Sequence, residues 1–448
     1  MIIASGLLIV GLAFGISYTP KASASVPGTN TVISVTPSGT AVGNEGAYEP
    51  VVSADGSSVI FVSASDDLVS GDTGSADVYE RDLSTNTTTP VDVSSSGALD
   101  NSGFDGYAPG ISENGRYTVF GSTGTNLIDG QTTRAGEMYI HDMVTGTTTL
   151  VTVNSSGQPA DCGFSGEDRS YVSNDGKFVV FQGNCSDLAG TPSGYGEYIY
   201  RVDMANNNVS LIGDGSVNGE STNCDGSLMV FTDAGNLTSD ASGTQPKVYL
   251  ADFRDGLTLT DLTSTFTDSS TDSFRSASTS CNGNYVTFSS DDPYVDPSQV
   301  SSTDTHYHVY LYNRISDSYS LVDQNNSGTV SNATSGGGSL GPDSFVSVDD
   351  NGDVVFYSNG TNLGSSVTNY PSPDPGQVWL RDNSADTTQL LSINSSGAAG
   401  NYDHIHNPDY DNLSISSNGK IVAYATNVTN FSSLYNSYEN VYTSATGL

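Results

Sequence analysis

Seven copies of one short pattern recur along this chain of 448 residues, and they limit its fold more than any other feature. Each copy has an Asn-Gly or Asp-Gly turn followed by an apolar stretch with an aromatic residue five positions after the glycine. The glycines have a mean spacing of about 60 residues and are Gly56, Gly115, Gly176, Gly226, Gly283, Gly352 and Gly419. A fixed period of this kind indicates one supersecondary unit repeated seven times.

Two further elements follow each copy of the turn. The first places an apolar residue before Tyr or Trp, as in DVYERD (77–82) and QVWLRD (377–382), and the second is rich in Thr, as in TTTLV (147–151). Each unit therefore contains four short strands separated by tight turns. Such a sheet buries both apolar faces only against neighbouring sheets, which predicts an all-β, single seven-bladed β-propeller with four-stranded antiparallel blades. An open solenoid is the alternative, but it needs polar capping units.

The two ends of the repeat array are complementary. The seventh unit lacks a fourth strand, and TVISVT (31–36) supplies an isolated strand of that type. We therefore predict that strand 31–36 completes the last blade and closes the ring, which removes exposed sheet edges. The predicted domains are a signal peptide over 1–24 and a propeller over 25–448. The predicted blades span about 48–98, 107–157, 168–215, 219–264, 274–328, 343–397, and 412–448 together with 31–36.

The units resemble the WD40-like (PD40) repeats of TolB-type propellers. The first unit carries the matching residues Pro50, Ser53, Asp55, Gly56, Phe61, Val78, Tyr79 and Asp82. The resemblance covers about 45–448 and implies the propeller fold. It implies no particular activity, because such propellers serve in binding, scaffolding and catalysis.

The N-terminus and the net charge indicate where the protein acts. An apolar stretch over 2–16 followed by Ala22-Ser23-Ala24 resembles a secretory signal, with an uncleaved anchor as the alternative. No later segment is apolar enough to span a membrane, so a secreted, extracellular or periplasmic location is expected. The formal charge of −37 repels nucleic acids and anionic lipids and excludes nucleic-acid binding.

Four cysteines allow three disulfide pairings. Cys162 and Cys185 belong to the face of the propeller that carries the connections between blades. Cys224 and Cys281 occupy the same turn position in neighbouring units, on the opposite face. The pairing 162–185 with 224–281 is the one that never crosses between faces, and export makes disulfides the favoured state.

Two groups of residues are candidate metal ligands. His306 and His308, and His404 and His406 with Asp403, are predicted on the face with the blade connections, where a His/Asp cluster suits a transition metal. Surface histidines in long loops are the alternative. Asp72 and Asp77 flank a glycine and are candidate ligands of calcium, a possible cofactor, although turn capping also explains these two residues.

The sequence lacks the common hydrolase and nucleotide-binding motifs, and no catalytic residue is assigned. We expect a non-catalytic binding or scaffold module that holds a protein or glycan ligand at the cell surface. One alternative is a propeller-type polysaccharide lyase or glycoside hydrolase whose His/Asp site includes the four paired histidines. Another is a structural surface-layer or filament subunit.

Overall fold

The computed structural model describes residues 28–448 except 73, 103–108, 164–168, 189–197, 215–216, 240, 242–244, 267–272, 297, 338–345, 365–375, 401–412, 435 and 437. Within this part of the chain all regular structure is β, and the strands form seven sheets around one axis. The predicted all-β, seven-bladed propeller is confirmed. No helix in the described ranges has the length and hydropathy that crossing a membrane requires. The predicted signal segment 1–24 lies outside these residues.

The first described strand is β1 (Asn30–Val32). Blades one to three consist of β2 (Ala47–Val52), β3 (Ser58–Ser63), β4 (Asp77–Asp82) and β5 (Thr87–Pro90); β6 (Gly110–Ile111), β7 (Tyr117–Ser122), β8 (Glu137–Asp142) and β9 (Thr147–Leu150); and β10 (Cys162–Gly163), β11 (Ser170–Val172), β12 (Phe178–Cys185), β13 (Tyr198–Asp203) and β14 (Asn208–Asp214). Blades four to seven consist of β15 (Val217–Thr222), β16 (Leu228–Asp233), β17 (Lys247–Asp252) and β18 (Thr258–Asp261); β19 (Phe274–Thr279), β20 (Tyr285–Ser290), β21 (His308–Asn313) and β22 (Ser318–Leu321); β23 (Val346–Val348), β24 (Val354–Ser358), β25 (Gln377–Asp382) and β26 (Thr387–Leu390); and β27 (Ser414–Ile415), β28 (Ile421–Thr426) and β29 (Asn440–Ala445).

Ring closure occurs as predicted, with a shorter strand than the expected 31–36. Strand β1 pairs antiparallel with β29, with Val32 opposite Tyr442, and so becomes the fourth strand of blade seven. The strand ends early because the chain folds back on itself: Val35 pairs with Val42, and the amide of Thr36 donates to the carbonyl of Ala41 at 3.0 Å.

Each blade contains a pair of facing aromatic side chains on its second and third strands. Phe61 lies opposite Tyr79 with ring centroids 5.7 Å apart, and both side chains are fully buried. Equivalent pairs recur in the other blades, and such rings bury roughly 150–250 Å² each. Blade six differs in register, because its hairpin is one residue shorter: the amide of Asp349 bonds to residue 353, four positions on, whereas other blades span five. Phe356, rather than the Tyr357 that the glycine spacing predicts, therefore faces Trp379.

The hairpins between first and second strands form what we call the bottom face, and the blade connections form the top face. On the bottom face, consecutive hairpins are joined by hydrogen bonds around the axis. The ring runs through Asp55 N–Glu113 O (3.0 Å), Asn174 Nδ2–Glu113 Oε2 (2.9 Å), Asn174 N–Cys224 O (2.7 Å), Cys224 N–Cys281 O (3.0 Å), Asn282 N–Asp350 Oδ1 (2.7 Å), Asp350 N–Ser417 O (3.0 Å) and Ser417 N–Ala54 O (2.7 Å). All seven blades take part, so the bottom of the central channel is a constricted, rigid end.

Candidate functional site

A central cavity of about 150 Å³ lies on the propeller axis, above the hydrogen-bonded ring. First strands and hairpins of all seven blades line it, and most of the lining side chains are small or apolar. Among the described lining residues only Glu113 and Arg169 are charged. Residues of the hydrogen-bonded ring, among them Glu113 and Cys224, are part of the lining, so the cavity lies against the bottom face.

Blade five carries a chain of four titratable side chains that runs from the top surface into the core. His306 Nδ1 lies 2.7 Å from Asp304 Oδ1. The other oxygen of Asp304 lies 3.6 Å from His308 Nε2, and His308 Nδ1 lies 2.9 Å from Asp323 Oδ2. The side chain of His306 is 46% exposed, whereas His308 and Asp323 are almost completely buried.

The charges along this chain stabilise one another. Burial alone would lower the pKa of His308, but the carboxylates of Asp323 and Asp304 outweigh it and raise that pKa. Burial tends to raise the pKa of Asp304, yet hydrogen bonds from His306 and the charge of His308 bring it below its ordinary value. Because a carboxylate can only accept, Nδ1 of His306 must carry the proton. In this tautomer Nε2 carries the lone pair that is not used in the contact with Asp304.

The residue after His306, Tyr307, lies near a hydroxyl and a cationic side chain of the innermost strand. The hydroxyl of Tyr307, the next residue, hydrogen bonds to the hydroxyl of Ser273 at the start of the innermost strand. The guanidinium of Arg275, on that same strand, lies 5.1 Å from the centre of the Tyr307 ring. The top of blade five therefore combines an imidazole base with an Arg–Tyr pair that links it to the channel wall.

The position of His308 belongs to a motif that recurs in five blades. We call it the entry pair: the polar residue that begins the third strand, together with the polar residue two positions beyond the fourth strand. In each case the second member accepts a hydrogen bond of 2.9–3.2 Å from the amide that follows the first member. The pairs are Asp77–Asp92, Glu137–Thr152, His308–Asp323, Gln377–Ser392 and Asn440–Ser34, all buried.

Sequence reasoning did not find these pairs. Four of them are separated by 15 residues, a spacing that was available as a signal. Of the predicted calcium residues, Asp77 is itself a member of one such pair, and Asp72 is near enough to raise its pKa. The missing member of that acidic group, Asp92, is buried beyond the end of β5.

The predicted metal ligands are only partly within the described residues. His306 precedes β21, whereas His308 is its first residue. The ring of His306 is therefore half-exposed and that of His308 is buried. His404, His406 and Asp403 lie outside the described residues, and the metal site stays a prediction. Among the described residues, the only three His, Cys, Asp or Glu donor atoms found within 4.8 Å of one another belong to Glu113, Cys224 and Cys281.

Both predicted disulfides are present. Cys162 pairs with Cys185 within blade three, and Cys224 pairs with Cys281 across blades four and five on the bottom face. Cys224 and Cys281, which lie near Glu113, are therefore bonded to each other and do not ligate metal. Two disulfides are typical of a protein that folds in an oxidising compartment outside the cytosol.

The fold and repeat define this chain as a seven-bladed β-propeller with WD40-like repeats similar to those of TolB-type proteins. No protein-family model matches the sequence. No curated protein matches it either. An oligogalacturonate lyase from Vibrio parahaemolyticus is similar in structure, with 14% identity, a TM-score of 0.52 and 93% of each chain covered.

Two other solved structures match to a similar degree. An oligogalacturonate lyase in complex with manganese has 14% identity and a TM-score of 0.51, covering 90% of this chain and 89% of its own. A puromycin-hydrolyzing peptidase from Mycobacterium tuberculosis has 12% identity and a TM-score of 0.51, covering 95% of this chain and 55% of its own. At this identity the likeness establishes the fold. Because these matched propellers are catalytic proteins, the interpretation as a non-catalytic binding or scaffold module is wrong.

Proposed function

We propose that this protein is an exported propeller-type polysaccharide lyase that acts on uronate-containing glycans at the top face. The observation that carries the proposal is the chain of side chains His306–Asp304–His308–Asp323, in which hydrogen bonds join His306 to Asp304 and His308 to Asp323, and which ends at the half-exposed ring of His306. The similarity over about nine-tenths of both chains to oligogalacturonate lyases supports the choice of reaction class. The two disulfides support export.

The chemistry of β-elimination requires a base and a means to neutralise the uronate carboxylate. In the proposed reaction, Nε2 of His306 removes the proton on the carbon next to the carboxylate. The electron pair forms a carbon–carbon double bond, the glycosidic carbon–oxygen bond breaks, and the departing oxygen takes a proton from water. Asp304 holds the ring in the required tautomer and stabilises the charged imidazole that forms.

Arg275 and Arg169 are the proposed carboxylate-binding groups. A guanidinium matches a carboxylate with two parallel hydrogen bonds. Arg275 stacks on Tyr307 beside His306, and Arg169 lines the central cavity. Neutralising the carboxylate in this way makes the adjacent proton more acidic, which is the electrostatic contribution that such an elimination needs.

One matched lyase was solved with manganese, which raises the question whether the described part of blade five fits a metal ion. Both ring nitrogens of His308 face carboxylates, and Nδ1 of His306 is bonded to Asp304. No three His, Cys, Asp or Glu donor atoms of the described part of blade five lie within 4.8 Å of one another, so this part does not by itself form a metal site. No step proposed here passes through a metal.

The test is formation of unsaturated uronate, followed by its absorbance, from oligogalacturonates, polygalacturonate and alginate. His306→Ala should lower kcat by about 10²-fold or more, the usual contribution of a positioned base, and Arg275→Ala should mainly raise KM. Arg254→Ala is the matched control, because Arg254 pairs with Asp252 at the bottom face. New reducing ends without unsaturated product would identify a hydrolase, and neither product from any of these polymers would contradict the proposal.

A further inference from the structure

Blade one contains three acidic side chains, Asp72, Asp77 and Asp92, that lie near one another. The carboxyl groups of Asp72 and Asp92 are near enough to affect the pKa of Asp77, and the amide of Val78, the residue after Asp77, donates to Asp92. Asp77 and Asp92 are 7% and 1% exposed, and none of the three belongs to an ion pair within the described residues. The hydroxyl of Tyr79 donates to Asp72, and Asp100 adds a further negative charge nearby.

The other entry pairs show why this arrangement is exceptional. In blade six the hydroxyl of Ser392 donates to Oε1 of Gln377 at 2.6 Å, and in blade five an imidazole faces a carboxylate. Each of those pairs contains a donor and an acceptor. Two ionised carboxylates contain only acceptors, so Asp77 and Asp92 cannot form a hydrogen bond with each other in that state.

One carboxylate oxygen of each buried aspartate has no hydrogen-bond partner. Oδ2 of Asp92 accepts the amide of Val78 at 2.9 Å, but Oδ1 of Asp92 and Oδ1 of Asp77 are buried and have no hydrogen-bond partner. A buried polar atom without a partner costs about 1–3 kcal/mol, and more when it is charged. A proton shared by the pair or a bound cation would relieve this, and a cation would also offset the charge of Asp72, whose oxygens accept from the amide of Gly74 and the hydroxyl of Tyr79.

We propose that Asp72, Asp77 and Asp92 bind a calcium ion between the third and fourth strands of blade one and the loop before them. Oxygen-only ligands with several carboxylates are the preference of calcium. The three donor oxygens do not all lie within 4.8 Å of one another, so Asp72 would move inward or bind through water. This site is separate from blade five and does not depend on the proposed lyase activity.

The experiment uses the whole protein, stripped with a chelator and returned to constant ionic strength. Calorimetric titration with CaCl2 should show one site, and Tm should rise by roughly 2 °C or more at saturation, since about 1 kcal/mol shifts Tm by 2–4 °C in domains of 150–250 residues. Equal ionic strength from NaCl should give no such rise, which separates binding from screening of the acidic surface. Absence of calcium binding to the wild-type protein would overturn the proposal.

Two double variants make the assignment specific. Asp77→Gln/Asp92→Ser installs the neutral pair that blade six already uses, so it should fold and lose the calcium site. Asp129→Asn/Asp255→Asn removes two exposed charges elsewhere and should retain it. Asp72→Asn, at a half-buried position, should weaken binding at least tenfold without loss of folding. Unchanged calcium affinity in the first variant or in Asp72→Asn would place the ion elsewhere and refute the assignment.

Discussion

The hydroxyl of Tyr424 donates a hydrogen bond of 2.5 Å to Oδ1 of Asn30, a residue 394 positions earlier in the chain. The side-chain amide of Asn30 also donates to the carbonyls of Leu391 and Ile393 in blade six, at 3.0 and 2.6 Å. One buried asparagine thus connects the closing strand, the last blade and its neighbour. Closure of the ring depends on this residue as well as on the three-residue strand.

Replacing Asn30 with Ala should therefore weaken ring closure. The change removes the hydrogen bonds of Asn30 with the Ile393 carbonyl and the Tyr424 hydroxyl, while the Leu391 carbonyl keeps the amide of Ile393. We expect a loss of about 2–4 kcal/mol in the free energy of unfolding. Chemical denaturation measures it. Thr31→Ala is the matched control, because Thr31 is exposed on the same strand and should change stability by less than about 0.5 kcal/mol. Equal effects of the two changes would argue against this role of Asn30.

Glu137 should make stability depend on pH. Burial raises its pKa to about 8 despite the hydrogen bond from Thr152. A carboxyl group with a raised pKa contributes its full stability below its unfolded pKa near 4.5, and this contribution is lost as pH rises towards 8. Glu137→Gln should therefore be more stable than the wild type at pH 9, by a few kcal/mol, and no more stable at pH 4.

The reverse change in blade six provides the control for Glu137. Gln377 occupies the equivalent position, so Gln377→Glu should lose more stability at pH 9 than at pH 4. Denaturant unfolding at the two pH values measures both variants. If neither variant shows a pH-dependent difference from the wild type, the buried carboxyl at this position is not the group that titrates.

The two disulfides should differ in their contributions. The Cys224–Cys281 bond spans 57 residues and the Cys162–Cys185 bond spans 23. In the chain-entropy model these loops correspond to about 4 and 3 kcal/mol. Cys224→Ser/Cys281→Ser should therefore have the lower denaturation midpoint of the two double variants. A lower midpoint for Cys162→Ser/Cys185→Ser would contradict this order.

Trp379 should be replaceable by the residue that other blades use. It is fully buried, and its indole nitrogen has no hydrogen-bond partner. The hydroxyl of the equivalent Tyr249 donates to the carbonyl of Gly235 at 2.6 Å. Trp379→Tyr should thus change stability by less than about 1.5 kcal/mol, whereas Trp379→Ala should lose about 3–5 kcal/mol. Thermal or urea unfolding followed by circular dichroism separates these outcomes.

Added salt should lower KM of the proposed reaction for a polyanionic substrate. The formal charge of −37 repels a polyuronate at long range, and salt near 0.1 M limits such forces to about 10 Å. We expect KM for polygalacturonate to fall as NaCl rises from low concentrations, with little change in kcat. A KM that rises throughout the titration would show that attraction to the arginines outweighs the repulsion.

The blades were predictable because their signals are local. Asn-Gly and Asp-Gly turns, apolar strands and a shared aromatic position repeat within each unit, and each signal acts over only a few residues. Ring closure followed from the complementary ends of the array. Blade six shows the limit of this approach: a hairpin shortened by one residue moves Phe356, not Tyr357, opposite Trp379, and the glycine spacing does not reveal it.

The candidate sites were harder to predict, because their residues meet through the fold. Four entry pairs share a separation of 15 residues, but their members range from Asp77–Asp92 to Gln377–Ser392, so no residue type marks them. The different burial of His306 and His308 was not predictable from their spacing of two residues. Strand β21 begins at His308, which leaves His306 on the preceding turn, where Asp304 determines its orientation.

The closing strand has a consequence for how the protein matures. Strand Asn30–Val32 is made before six complete blades, whereas its partner strand, Asn440–Ala445, is made after them. During synthesis β1 therefore stays unpaired until β29 has emerged. Until the two strands pair, each presents a free sheet edge that could pair with a neighbouring molecule.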